Sequence, residues 1–278
     1  MIEHVGIVGC GTMGAGIAEI CAKAGLDVLV AVSSAASAEA GQARITKSLQ
    51  RAVRKGKLAV EDADRLRAAI RFTESLGDLA DRQLVVESVH EEEKLKRRLF
   101  ADLEDALTDP ATIIATNTSS MRITPLADCT RRPHRVVGTH FFNPATVMPL
   151  VELVPAEQTG AEVIEAVEAF LTGSLGKQVI RSADRPGFVV NALLVPYLVE
   201  AVRLVGDGHA TAEDVDRGMK LGCSHPLGPI ELVDMIGLDV IASVADALEV
   251  TKPRLLTDLI SSGRLGVKTG AGFFDYPR

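Results

Sequence analysis

The chain has 278 residues, 47 % of them hydrophobic, and 30 basic against 37 acidic side chains leave a net charge of −7. That length suits one large domain or two unequal ones with an ample core, while an acidic balance without a basic stripe argues against nucleic acid as the main partner. No apolar run approaches the length of a membrane span, and four scattered cysteines (Cys10, Cys21, Cys129, Cys223) show no metal-ligand spacing, so no metal is expected.

The amino terminus, "MIEHVGIVGCG", enters a strand pattern at once, without the basic start and cleavage site of a signal peptide, and the expectation is a soluble, reduced, cytoplasmic protein. "HVGIVGC" (4–10) reads as a strand, residues 12–23 as a helix with Met13, Ile17, Ile20 and Cys21 near one face, and "VLVAV" (28–32) as a second strand. This is a βαβ unit, which implies a parallel sheet. From about 35 to 70 the pattern is helical and polar, broken at "KGK", and longer than a simple crossover needs. Apolar runs at 84–89, 112–116, 135–142, 149–154 and 177–180 then alternate with helical ones, among them a charged amphipathic helix over 91–107. After "DRPGF" the strand pattern stops and the rest reads as helical. The expected architecture is therefore α/β: an amino-terminal Rossmann-type domain (1–183) with a doubly wound, mostly parallel sheet, and a smaller all-α domain (184–278), with the break at Pro186 and Gly187.

Two stretches carry chemistry. "GCGTMG" places Gly9, Gly11 and Gly14 between a strand and a helix, in the spacing of a dinucleotide loop. Gly9 allows the tight turn, Gly11 lets the backbone approach a pyrophosphate, and Gly14 lets the helix pack closely. Thr12 and Met13 complete the candidate loop. In "THFFNPATVMPLVELV", His140 lies in one apolar strand and Glu152 interrupts another twelve residues later. A carboxylate among valines and leucines is costly to bury alone. Adjacent strands can bring it to the imidazole, where it fixes the tautomer, raises basicity and leaves the other nitrogen for a substrate proton. The alternatives are a structural His–Glu pair or a glutamate facing solvent on an edge strand. "ATNTSS" ends a further strand, so Ser119 is placed to bond a substrate oxygen, unless Asn117–Ser120 merely cap a helix. Asn191, in a strongly apolar helix, either satisfies a backbone group or projects into a site. By composition the charge run 91–98 reads as a solvated helix face.

Taken together, "GCGTMGAGIAE", "ATNTSS", "THFFNPATVMPLVELV", "DRPGFVVNALLVPYL", "MKLGCSHPLGPIELVDMIGLD" and "GRLGVKTGAGFFDY" resemble, in order and spacing, the (S)-3-hydroxyacyl-CoA dehydrogenases, especially the compact bacterial 3-hydroxybutyryl-CoA dehydrogenases. The resemblance runs almost end to end. It implies that His140 is the acid/base oriented by Glu152, and that Ser119 and Asn191 complete the substrate site. It implies that Ser48 and Lys55 on the helical excursion meet coenzyme A, and that Glu91, Lys96, Asn143 and Lys268 serve the dinucleotide. It implies also a reversible hydride transfer between an acyl-CoA and NAD or NADP, and a helical domain that dimerises. The chain departs from the family at the end of the second strand, where the acid that holds the adenosine ribose is replaced by Val32, followed by Ser33 and Ser34. NADP therefore becomes plausible beside NAD. The competing readings are a hydroxy-acid or sugar-acid dehydrogenase of the same scaffold and a non-catalytic dinucleotide-binding protein. The coenzyme A segment argues against the first, and the His–Glu pair against the second.

Overall fold

A computed structural model describes residues 1–276. β1 (His4–Val8), α1 (Thr12–Lys23) and β2 (Asp27–Ala31) form the expected βαβ unit, with β1 and β2 parallel. β1 stops two residues before the end of its apolar run because Gly9, at φ 90°, turns the chain out of the strand. The helical excursion is two helices, α2 (Ala35–Arg54) and α3 (Val60–Ala69). The turn between them uses Gly56 at φ 65°, within the "KGK" that interrupts the pattern. The reading of helix up to residue 70 misses β3 (Ile70–Thr73), a four-residue strand that follows α3 without a turn. Such a short segment shows no legible alternation of its own, and its pairing with β2 decides it.

The rest follows the apolar runs: β4 (Leu84–Glu87), α4 (Glu93–Ala106), β5 (Ile113–Thr116), α5 (Thr124–Ala127), β6 (Val136–Phe141), β7 (Leu150–Pro155), α6 (Ala161–Ala169) and β8 (Gln178–Arg181). The eight strands form one sheet in the order β3-β2-β1-β4-β5-β6-β7-β8. The first six are parallel, β7 runs antiparallel to β6, and β8 is parallel to β7. The near-continuous burial of β1, β2, β4 and β5 is what a parallel sheet covered on both faces requires. The chain order reverses between β1 and β4, and in open sheets of this kind ligands bind beyond the strand carboxyl ends at that point.

The remaining helices are α7 (Val190–Gly206), α8 (Ala212–Cys223), α9 (Pro229–Ile236), α10 (Leu238–Ala247) and α11 (Arg254–Ser261). The chain falls into two compact units: Met1–Thr118 with Arg122–Asp184, and Ser119–Met121 with the chain from Arg185 on. Each has its own core, centred on Val5, Ile7, Val30 and Val137 in the first and on Leu198, Val202, Ile230 and Ile241 in the second. No described helix is long and apolar enough to cross a membrane.

Candidate active site

The loop after β1 has the form that a dinucleotide needs. A Cβ on Gly9 would stand 2.8 Å from the Ser88 carbonyl oxygen, and one on Gly14 would stand 2.1 Å from that of Gly9, so neither position admits a side chain. A Cβ on Gly11 would meet nothing within 4 Å, which leaves open space over the loop. Gly11 is also the N-cap of α1; no side chain caps this helix and its first turn holds no acid. The amide groups at Thr12, Met13 and Gly14 therefore present an uncapped positive helix end beneath that space, the arrangement that receives a pyrophosphate. These residues fit a nicotinamide dinucleotide.

Beside this loop lies the end of β2. The Gly9 N–H donates to the Ala31 carbonyl at 2.9 Å, so Cys10 and Val32 follow on from paired strand ends. Val32 is buried among core residues, whereas Ser33 is exposed. Ser34 caps α2, its hydroxyl accepting from the Ser37 N–H at 3.2 Å.

His140 and Glu152 are directly opposite one another in the antiparallel β6–β7 register. Nδ1 of His140 donates to Oε2 of Glu152 at 2.6 Å, with the imidazole 4 % exposed and the glutamate wholly buried. Glu152 does not face solvent on an edge, since β7 is paired on both sides. With Nδ1 engaged by the carboxylate, proton exchange falls to Nε2. The Phe142 ring lies at 4.5 Å centroid distance from the imidazole and tilted to it. The following turn carries Asn143, which is exposed and joined to Pro144 by a cis peptide bond. Lys177 holds this turn, donating to the Ala145 carbonyl at 2.6 Å and the Met148 carbonyl at 2.8 Å, and burial pushes its ammonium below the usual lysine range.

The charge run after β4 is not a uniformly solvated face. Lys96 is wholly buried, its Nζ 3.0 Å from both carboxylate oxygens of Glu87 and 2.9 Å from Oε2 of Glu91. Phe100 and Leu103 form the buried face of α4, and Lys96 lies on it because two carboxylates neutralise its charge there. Glu87 also accepts from the Thr116 hydroxyl at 2.6 Å and the Val89 N–H at 2.7 Å. The Thr118 hydroxyl donates to Glu91. Glu87 escaped the sequence reading, although an acid within "LVVES" carries the same signal as Glu152 within "LVELV". Asn117 does not cap a helix: α5 begins only at Thr124, and Asn117 Oδ1 accepts from the Phe141 N–H at 2.9 Å, fixing the chain next to His140.

Ser119 belongs by its contacts to the helical unit, and there Asn191 Nδ2, on the first turn of α7, donates to the Ser119 carbonyl at 3.3 Å. These two residues are thus brought together, and Asn191 satisfies a backbone group. Lys268, in the same unit, donates to Asp239 Oδ2 at 2.6 Å. Ser48 is partly buried on α2, and the exposed Lys55 caps its carboxyl end. Among the described residues no group of three or more His, Cys, Asp or Glu side chains is placed to hold a metal ion.

Residues 4–185 match the family model of the 3-hydroxyacyl-CoA dehydrogenase NAD-binding domain, and residues 187–276 that of the 3-hydroxyacyl-CoA dehydrogenase carboxyl-terminal domain. The chain is 48 % identical over 282 residues to a 3-hydroxybutyryl-CoA dehydrogenase of Mycobacterium tuberculosis, with 99 % of each covered. The crystal structure of FadB2 of M. tuberculosis matches at a TM-score of 0.97 and 47 % identity, covering 99 % of both chains. That of the (S)-3-hydroxybutyryl-CoA dehydrogenase PaaH1 of Ralstonia eutropha matches at 0.91 and 41 %, covering 100 % of both. With a dinucleotide loop that admits only glycine at two positions and a buried His–Glu pair in register, the chain belongs to the 3-hydroxyacyl-CoA dehydrogenase family.

Proposed function

We propose that the protein interconverts a short-chain (S)-3-hydroxyacyl-CoA, 3-hydroxybutyryl-CoA foremost, with its 3-oxoacyl-CoA. The observation that carries this reading is the His140–Glu152 pair, an imidazole held at 2.6 Å by a wholly buried carboxylate. In the oxidising direction Nε2 of His140 takes the proton of the 3-hydroxyl; in the reducing direction it returns a proton to the 3-oxo oxygen. Glu152 keeps Nδ1 protonated and stabilises the imidazolium formed in the first case. The nicotinamide, when bound, supplies the hydride acceptor or donor at C3. Ser119 and Asn191 position the substrate oxygens, and Ser48 and Lys55 meet coenzyme A. Glu91, Asn143 and Lys268 serve the dinucleotide, with Lys96 acting through Glu91, whose carboxylate it holds.

The dinucleotide choice follows from Val32. An acid there would bond the ribose hydroxyls of NAD and repel the 2′-phosphate of NADP; valine does neither, so NADP is accepted beside NAD. The chain divides into a dinucleotide-binding domain (1–183) and a helical substrate and dimerisation domain (184–278). A homodimer is supported by large apolar side chains left in water on that helical part, with Leu193 73 % and Leu221 76 % exposed. Four free thiols accord with a reducing, cytoplasmic setting.

The test is oxidation of NADH and NADPH, followed by absorbance, with acetoacetyl-CoA and with free acetoacetate. Turnover confined to the thioester is the expected result. Equal turnover of the free acid would point to a hydroxy-acid dehydrogenase on the same scaffold. Dinucleotide binding with no turnover of either would point to a non-catalytic protein.

A further inference from the structure

In sequence no cation follows β2 closely; the first is Arg44, on the third turn of α2. The fold brings it back. Arg44 Nη1 donates to the carbonyl of Cys10, 34 residues away, at 3.2 Å, and Cys10 stands between the first two glycines of the dinucleotide loop. The approach is built into the helix. One turn earlier, a Cβ on Gly41 would stand 2.6 Å from Cys10 Sγ, so only glycine lets α2 lie against the loop and present Arg44 there.

We propose that Arg44 reads the 2′-phosphate of the dinucleotide's adenosine ribose and sets the preference for NADP. The inference rests on the dinucleotide reading above. The pyrophosphate belongs to the uncapped end of α1, whereas the ribose belongs to the end of β2, and Cys10 and Val32 each follow directly on the Gly9–Ala31 backbone bond that joins the two strand ends. A guanidinium carries five donors, and the Cys10 carbonyl engages one of them. Among the described residues no carboxylate lies within ion-pair distance of Arg44, so its charge is left for an incoming anion. Burial pushes the Cys10 thiol up to about 11, so no thiolate competes for that charge at neutral pH. The end of β2 and the first turn of α2 carry hydroxyls: Ser33 and Ser37 oxygens lie 3.4 Å apart, and those of Ser34 and Ser37 lie 3.1 Å apart. The first turn of α2 carries no acid to repel a phosphate. Val32, apolar and buried, adds no negative charge at the end of β2. A dianionic phosphate held by a planar cation and hydroxyls is the chemistry to which these groups are suited.

Isothermal titration of NADP⁺, NAD⁺ and coenzyme A into the wild-type protein, Arg44→Ala and Arg44→Lys tests this. The wild-type protein binds NADP⁺ at least as tightly as NAD⁺. Arg44→Ala weakens NADP⁺ by about 10- to 100-fold and leaves NAD⁺ and coenzyme A within about threefold, and Arg44→Lys recovers part of the loss. Equal weakening of both dinucleotides would make Arg44 a mere brace for the Cys10 carbonyl and overturn the proposal. Weakening of coenzyme A alone, or no change in NADP⁺, would overturn it too. A wild-type protein that binds NAD⁺ and not NADP⁺ would remove both Arg44 and the acceptance of NADP, and would leave the dehydrogenase reading intact.

Discussion

At β6–β7 a carboxylate and an imidazole face each other from opposed strand positions, both buried, and the contact is fixed by antiparallel register. At the end of β2 the strand itself brings only Val32, and charge arrives from a helix whose packing is set by Gly41 against Cys10. A cross-strand pair cannot be slipped by one residue without turning one of its side chains to the other face of the sheet and parting the two. A helix-borne cation can be changed without disturbing the strands at all. The first arrangement suits a proton-transfer pair that must keep its geometry, and the second suits a choice between cofactors that differ by one phosphate.

The comparison predicts large effects at the first region and graded ones at the second. His140→Ala removes the proton-transfer group, so turnover of acetoacetyl-CoA falls by about 10²–10⁴-fold; a rate near that of the parent would assign the base elsewhere. Glu152→Gln keeps an acceptor for Nδ1 and loses the charge, so kcat falls on the order of 10- to 100-fold with little change in the dinucleotide Kd. A Glu152→Gln protein with unaltered kcat would reduce the pair to a structural contact.

At the second region, Val32→Asp restores an acceptor at the ribose and a charge against the 2′-phosphate. The ratio of Kd values for NADP⁺ and NAD⁺ moves towards NAD⁺ by about 1–3 kcal/mol. Taking the ratio cancels any general loss from placing an acid at a buried position, and an unmoved ratio would show that position 32 does not address the ribose.

The opposite end of β2 supplies a control. Burial pushes the Asp27 carboxyl up, but bonds from Arg71 at 2.6 Å, Arg82 at 2.9 Å and His4 at 3.1 Å outweigh it and hold the group below the usual carboxylate range. A depressed folded value means stability that is present above the unfolded value of about 4 and lost as pH falls below it. Asp27 is one-third exposed, so the contribution at neutral pH is about 1 kcal/mol. Asp27→Asn flattens the acid limb of the stability curve, measured by denaturant titration between about pH 3 and 7, and leaves the NADP⁺/NAD⁺ ratio unmoved. An unchanged acid limb would show that these bonds do not stabilise the fold.

What was legible in the sequence was what local rules decide. Period and glycine placement reveal the βαβ unit, and Glu152 announces itself as a charge in an apolar strand that needs a partner. β3 was hidden because four residues carry too little alternation to separate them from the end of α3. Lys96 was misplaced for a different reason: its burial depends on Glu87, nine residues back on a strand, and composition shows only a run of charges. Arg44 was visible as a residue but not as a neighbour of the loop. The approach of α2 to Cys10 is a tertiary event, and the glycine that permits it looks from sequence like a flaw in a helix.

The central claim is that His140 carries the proton while dinucleotide binding is settled elsewhere. The direct test is a single-turnover measurement with His140→Ala and bound NADPH, paired with the Kd for NADPH of the same protein. The account predicts a rate of acetoacetyl-CoA reduction lowered by about 10²–10⁴-fold with the Kd within about threefold of the parent. A rate close to the parent's, or a loss of rate matched by a loss of dinucleotide binding, would contradict it.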